Sequence, residues 1–427
     1  MHEKKWIALE FFVILVLLLA IFLIDLEKPQ FHGDENMWIN QSVHFENFFE
    51  GRFSAIAEQD KKFLLTMPTI PEYIIGLSRR IGGYDPSELN IEMWDWGKNF
   101  HENRANGRVP TKELIWWARF LPSLLSIISI FVTFYLVKIS FGKLIAYIWM
   151  VLTLANDWLI LALQRAMGES PLLFCIVMAM LAGFLAIKYF RSDNKVIRYS
   201  LMLLAVFGIF TGLAGQSKTN GLVIFASGIV ILVVLTMRCQ PEMRIRFSVL
   251  GFATLSIMTL VSFIAPNPVF WSDPLGKTIE TYQYRIEIMN GVQAQAFPGI
   301  VIKTWQDRVY ILVERIFKDL SALQFPNSNY LNIVLTCFGL AALAPKVRGI
   351  STKLTSSTNQ INAGALSILL VGFFASLPSL FTPLNIDRYF MLPAYFVSIL
   401  IAIGLKQVLK WVTDRTQEPQ KFEQNLD

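Results

Sequence analysis

Charge is what this chain has least of. Lysine, arginine, aspartate and glutamate make up 16% of its 427 residues, against about 25% in an ordinary soluble domain. With 54% of the residues hydrophobic, that shortage excludes a soluble globular domain and a disordered chain alike. Cysteine is scarce too: Cys175, Cys239 and Cys337 each lie in or beside an apolar run, which leaves neither a disulfide framework nor a cysteine-based metal site. The four histidines, His2, His32, His44 and His101, fall at no metal-ligand spacing of the HExxH kind. The net charge of +6 is not gathered into a patch, so nucleic acid is not an expected partner. No internal repeat is visible.

What the chain has instead is long apolar runs. A membrane-spanning helix needs roughly 20 mostly apolar residues. Ten segments qualify: 6–26, 114–137, 143–163, 170–190, 197–215, 219–237, 245–265, 329–345, 361–381 and 388–411. The count becomes eleven if the 143–190 region is broken. Residues 6–24 are followed by Asp25-Leu26-Glu27-Lys28-Pro29 without a small-residue cleavage site, so they read as an uncleaved helix rather than a signal peptide. The expected fold class is an all-α polytopic membrane protein, one membrane domain over 1–427.

Basic residues set the orientation. With the N-terminus cytoplasmic, the inner segments carry Lys4 and Lys5; Lys138 and Lys143; Lys188, Arg191, Lys195 and Arg198; Arg238, Arg244 and Arg246; Lys346, Arg348 and Lys353; and Lys406, Lys410 and Arg415. An even helix count puts both termini inside, with 412–427 as a short polar tail. The outer face then receives two long loops, 27–113 and 266–328. Short amphipathic helices are expected there: one over 35–49 (Trp38, Ile39, Val43, Phe45, Phe49), and one over 71–81 (Tyr73, Ile74, Leu77, Ile81) stopped by Gly82-Gly83. Such helices can lie on a membrane surface. The polar stretch 85–113, with Trp94 and Trp96, reads as a lid or acceptor-facing loop.

The polar residues gather where these outer connections begin and end. Asp34-Glu35 follow the first span; Gln164, Arg165 and Glu169 separate the third and fourth; Gln216, Ser217, Lys218 and Asn220 separate the fifth and sixth; Asn267, Trp271, Asp273 and Arg285 sit in the second long loop; Asp387-Arg388 precede the last span. Carboxylates and cations at one membrane face suit chemistry on a lipid-linked phosphate. Blander readings stand beside this one. Asp34-Glu35 suit a helix cap and first turn, Arg165 and Glu169 an i,i+4 ion pair, and Lys218 a snorkelling side chain. Asp387-Arg388 suit a helix-start anchor, and Trp271 and Asp273 loop packing and a turn before Pro274.

Five stretches together resemble one family. Phe31-His32-Gly33-Asp34-Glu35 resembles the H-x-D-E motif in the first outer loop of the GT-C glycosyltransferases, the superfamily of protein O-mannosyltransferases and lipid A aminoarabinose transferases. The stretches Met67–Leu77, Gln164–Phe174 (with Glu169 where Asp is usual), Gly215–Leu222 and Asn267–Pro274 are similar to later motifs of the same group, in the same order. The resemblance implies a GT-C fold and transfer of a sugar, such as mannose or another hexose, from a polyprenyl-phosphate donor to an acceptor hydroxyl on protein, lipid or glycan, with inversion at C1. Asp34 would be the general base and Glu35 its helper. Lys218 and Arg165, then Arg388 and Arg285, would hold the donor phosphate. His32, Glu169, Asn220, Trp271, Asp273 and Asp387 would face the acceptor or support the site. No cofactor is called for. His32, Asp34 and Glu35 could together bind a divalent metal, but none is predicted. The location implied is a prokaryotic plasma membrane with the site on its extracytoplasmic face.

Two departures mark the chain off from both branches. Asn36-Met37-Trp38 stands where the aminoarabinose transferases carry an arginine, and no room is expected for either branch's extra outer domain. The acceptor is therefore not inherited from either. A transporter or flippase of an amphipathic lipid-linked substrate is the competing function; it would show repeats and mid-helix polar groups. A ligase joining lipid-linked glycans is a third.

Overall fold

The structure is a computed structural model that describes residues 2–58, 67–89, 92–190, 194–321, 323, 328–348 and 356–423. Arg191 and Lys353, two of the basic residues expected in inner loops, lie outside them. Among the described residues the chain is helical, with no extended strand. Eight helices are long and apolar enough to cross a membrane: Trp6–Leu23, Lys112–Phe141, Glu169–Tyr189, Ile197–Ser217, Thr219–Met237, Pro241–Ile264, Ala363–Phe381 and Asp387–Asp414. This is a multi-pass membrane protein.

The other two expected spans differ from a simple crossing. Residues 143–163 form two helices, Lys143–Leu154 and Asp157–Gln164, bent by 74°. The break has a side-chain cause. The Asn156 amide oxygen accepts from the Leu159 backbone N–H at 3.1 Å, and its nitrogen donates to the Leu320 carbonyl at 2.9 Å. Asn156 thus starts a new helix and satisfies backbone groups exposed by the break. The 329–345 segment is a shorter apolar helix, Ser328–Ala344.

The chain divides into two compact units. One holds residues 1–132 and 160–301, the other 133–159 and 302–427. In the second, Tyr395 is fully buried, donates its hydroxyl to Thr133 at 2.8 Å and meets Trp149 edge to face.

In the first unit, the 27–113 loop contains the helices Gly33–Gln41, His44–Phe49 and Thr69–Ile81. Each buries one side, and apolar residues such as Phe49, Leu77 and Ile81 are left exposed. Their inner sides carry charge as well as carbon. The Arg79 guanidinium, wholly buried, donates to Glu46, to the Ser42 hydroxyl and carbonyl, and to the Tyr84 carbonyl. His44 and Glu72, both wholly buried, meet at 2.8 Å. Burial drives the Glu72 carboxyl above its usual range, and the His44 hydrogen bond offsets this only in part. Around them Phe31, Trp38, Ile39, Met67 and Ile75 pack against Leu114, Ile115 and Ala118 of the second span and Ala166 and Met167. Hydrocarbon contact glues the loop down, and paired ionic groups fix its register.

Two spans of this unit approach almost backbone to backbone. A methyl group at Gly212 would overlap the Thr259 carbonyl and the Ser262 hydroxyl, and with Gly208 one turn earlier this gives the small-xxx-small face that lets membrane helices close up. Replacing Gly212 with leucine should cost roughly 1–3 kcal/mol or more through overpacking, whereas Gly299→Ala, where nothing stands within 4 Å of the added carbon, should leave stability unchanged. Thermal unfolding of the detergent-solubilised protein compares the two. Equal melting temperatures for both variants would show that the close approach does not stabilise the fold.

Candidate active site

The short helix Gly33–Gln41 begins with a reciprocal cap. The Asp34 backbone N–H donates to His32 Nδ1 at 3.2 Å, and the His32 backbone N–H donates to Glu35 Oε2 at 2.9 Å. Because His32 Nδ1 accepts from that amide, the proton of the neutral ring sits on Nε2. The same Nδ1 lies 3.7 Å from an Asp34 carboxylate oxygen and has no proton to give it. Asp34 keeps 18% of its side chain open to solvent on the first turn of the helix.

Glu35 lies the other way and is wholly buried. Its Oε1 accepts from Arg119 Nε at 2.8 Å and from the Ala166 backbone N–H at 3.0 Å; its Oε2 accepts from Arg119 Nη2 at 2.8 Å and from the His32 N–H. Arg119 Nη1 in turn donates to the carbonyls of Leu26 and Pro29. This fork-to-fork pair joins the end of the first span, the site helix, the second span and the turn after Gln164. Burial pushes the Glu35 carboxyl up, but the Arg119 charge, its hydrogen bonds and the two backbone amides more than offset that, so the group lies below its ordinary value. A carboxylate so occupied fixes the start of the helix that carries Asp34.

The polar residue after the pair, Asn36, is wholly buried. Its nitrogen donates to the carbonyls of Arg108 and Glu92 at 2.5 and 3.2 Å, and its oxygen accepts from the Trp94 N–H at 3.1 Å. Asn36 therefore pins the tryptophan-bearing loop over the helix start. There the Trp94 indole covers Gly33 so closely that a side chain would collide with it.

A second polar group forms where two connections meet. Lys218 Nζ donates to Glu169 Oε1 at 2.8 Å, so a lysine from another connection pairs with Glu169. Arg165 Nη2 instead donates to the Gln30 carbonyl at 3.3 Å, one residue before the Ala166 amide that holds Glu35. Gly168 lies against the Ser217 carbonyl and Pro71. Gln216 accepts from Thr69 and donates to the Phe263 carbonyl at 2.6 Å. A water-sized cavity of about 10 Å³ lies beside them, lined by Met67, Gln216, Thr219, Asn267 and Thr281 among others. Asn220 follows Lys218, its side-chain oxygen buried without a hydrogen-bond partner. The Tyr282 hydroxyl donates to the Thr219 carbonyl at 3.3 Å, which sets Arg285 one turn further along the same helix.

The remaining expected residues have local duties. Asp273 caps the helix Pro274–Glu287 by accepting from the Gly276 N–H at 3.0 Å. Trp271 packs on Phe53 with ring centres 4.8 Å apart. Asp387 and Arg388 belong to the second unit, where Asp387 pairs with Arg315 at 2.9 Å and Arg388 lies over the Tyr389 ring. Among the described residues no group of three histidine, cysteine, aspartate or glutamate side chains is placed to hold a metal ion. Arg119 was missed by the sequence reading. Its signal was there, since it is the single charge between Leu114 and Val137, and a charged residue inside an apolar span is costly unless it is paired.

Residues 35–266 match the profile of one family, described as dolichyl-phosphate-mannose-protein mannosyltransferase. That range exceeds half the chain. The chain belongs to this family. As a mannosyltransferase-family protein it also shares a fold with two solved structures. One is ArnT from Cupriavidus metallidurans bound to undecaprenyl phosphate, with 12% identity, TM-score 0.52, and an alignment covering 94% of this chain and 60% of the other. The second is the Archaeoglobus fulgidus oligosaccharyltransferase tethered with an acceptor peptide, with 14% identity, TM-score 0.52, and coverage of 97% and 51%. This mannosyltransferase-family chain thus spans between about half and three-fifths of their lengths, and the likeness is one of fold, GT-C. No curated protein sequence matches it.

Breaking the buried pair should be severe. Arg119→Ala leaves the Glu35 charge uncompensated and should cost roughly 3–5 kcal/mol; Glu35→Gln should also destabilise by stranding the guanidinium. The sign of the pH effect follows from a folded-state value below the ordinary one. The stability Glu35 contributes is complete above the ordinary carboxylate value, about 4.3, and is lost as pH falls through the lower folded value. Melting curves between neutral and acid pH should show the wild-type advantage over Glu35→Gln shrinking only in strong acid. A gap that already closes near neutrality would contradict this.

Proposed function

We propose that this protein is an integral-membrane glycosyltransferase that moves a sugar, a hexose such as mannose, from a polyprenyl-phosphate donor to an acceptor hydroxyl. What supports the reading above all is the pairing of a solvent-reaching carboxylate, Asp34, with a fully occupied neighbour, Glu35, at a cap held by Arg119, in a chain whose family match runs over residues 35–266, from the residue after Asp34. One acid reaches the solvent side while the other is spent on holding it there.

The chemistry runs in a single displacement. As the acceptor oxygen attacks C1 of the donor sugar, Asp34 takes the hydroxyl proton. The O–C1 bond forms, the C1–O bond to phosphate breaks, and polyprenyl phosphate leaves from the opposite side, inverting the anomeric centre. The leaving group gains negative charge, which cations must meet. Lys218 and Arg165 take that role. Glu169 accepts from the Lys218 ammonium and so holds that charge at the turn. Glu35 acts as a positioning residue. Undecaprenyl phosphate bound to the ArnT structure supports a polyprenyl-phosphate donor here. Arg285, near the Lys218 turn through Tyr282, is a secondary phosphate contact; His32 and Asn220 support the acceptor side. Both termini are cytoplasmic and the site faces the outside of a prokaryotic plasma membrane, a reading carried by the basic residues of the inner connections.

The test is transfer from a radiolabelled polyprenyl-phosphate hexose in membranes holding the full chain. Asp34→Asn should lower the rate by roughly 10²–10⁴-fold with donor affinity intact. Lys218→Ala should weaken donor binding instead. Undiminished transfer by the Asp34→Asn variant would remove Asp34 as the base, and unaltered donor affinity in the lysine variant would remove Lys218 from the phosphate site.

A further inference from the structure

The 92–108 segment of the first outer loop carries a feature that sugar transfer from a lipid donor does not by itself require. Trp96 is 56% exposed, yet it is braced on two sides. His32 lies 5.9 Å from it, ring centre to ring centre, at 66°, and Phe297 lies 6.2 Å away at 82°. Both meet the indole at a steep angle rather than stacked in parallel, and the residue keeps more than half of its surface open. Trp94 stands 6.3 Å behind, against Gly33. His32 in turn lies 3.7 Å from the Asp34 carboxylate. An open aromatic ring is therefore held two contacts from the base.

The loop that carries it is built in advance. Asn36 holds the Trp94 N–H, Asn103 accepts from the Asp95 N–H and donates to the carbonyls of Asp95 and Lys98, and Asp95 takes the Gly97 N–H. Arg108 pairs with Asp95 at 2.9 Å. The Asp95 N–H and carbonyl on one side of Trp96 and the Gly97 N–H on the other are thus spent inside the loop. An extended peptide binds by main-chain hydrogen bonds along an open edge, and here the groups flanking Trp96 at Asp95 and the Gly97 N–H are already used. What the loop offers is ring surface. A pyranose presents a matching surface: a face of C–H groups that meets the electron-rich side of an indole, with hydroxyls around its rim.

We propose that Trp96, steadied by His32 and Phe297, is a subsite for a sugar ring carried by the acceptor, so that the acceptor of this protein is a saccharide rather than a serine or threonine of a peptide. The proposal rests on the transferase reading, and names the substrate class of that same site. The ring lies on the indole and turns one hydroxyl past His32 to Asp34, which takes its proton.

The full chain in nanodiscs, labelled with 5-fluorotryptophan, gives a direct readout. The Trp96 fluorine signal is identified by its loss in Trp96→Phe. Methyl α-D-hexopyranosides should shift that signal saturably, and a serine/threonine peptide should not. A fixed signal with every glycoside, or an equal shift with the peptide, overturns the proposal. In the transfer assay, Trp96→Ala should raise the KM for the glycoside acceptor roughly tenfold with the donor KM unchanged, and Trp96→Phe should recover most of it. Equal effects on donor and acceptor KM overturn the proposal as well. A Trp96 signal that responds to glycosides in a protein that transfers nothing from the lipid donor would leave the subsite standing and sink the transferase reading, which separates the two failures.

Discussion

The buried ion pair between Glu35 and Arg119 is the constraint on which the rest of the outer architecture depends. An arginine inside an apolar span is tolerable only when its charge is met and its donors are used. Here the carboxylate and two backbone carbonyls meet that demand. The pair sets where the second span stands against the site helix. The Ala166 amide on Glu35 Oε1 sets where the next turn stands. Asp34, Arg165 and the cap at His32 take their places from this one junction.

Around it the first loop repeats the same device. His44 with Glu72, and Arg79 with Glu46, are ionic groups with almost no solvent, each surrounded by apolar side chains. Such pairs add little net stability compared with well-packed hydrocarbon, but removing one partner is expensive. Their effect is to make wrong packings costly. A loop held by hydrophobic contact alone could slide on its neighbours, whereas these groups fit together in one arrangement. That suits a segment that must hold a carboxylate at a fixed place beside a membrane.

The spans were legible because a bilayer imposes a length and a composition on any helix that crosses it. All ten apolar segments correspond to helices, including the one that bends at Asn156. The motifs around Asp34, Met67, Gln164 and Gly215 were legible as a resemblance in order, and hydrogen bonds join them in the structure, from Ala166 to Glu35 and from Thr69 to Gln216. What could not be read was who pairs with whom. Glu35 looked like a second acid beside the first because a dipeptide says nothing about which side chain turns inward. Its partner lies far along the chain, in a span where a lone arginine reads as an anomaly. Glu169 looked like the partner of Arg165 at helical spacing, and Lys218, which pairs with it, arrives from another connection that spacing does not reveal. Asn36, noted only as the absence of an arginine, proved to be the pin of the tryptophan loop.

Gln216 shows how much direction one neutral side chain can encode. Its oxygen faces the Thr69 amide and hydroxyl while its nitrogen faces the Phe263 carbonyl. An acid there would set oxygen against oxygen at Phe263, and a lysine would set donor against donor at Thr69. The site helices, the span Ile197–Ser217 and the end of Pro241–Ile264 are thereby keyed by polarity rather than by charge. That junction holds no titratable group, so the contact that carries the Lys218 turn keeps its shape across pH and salt.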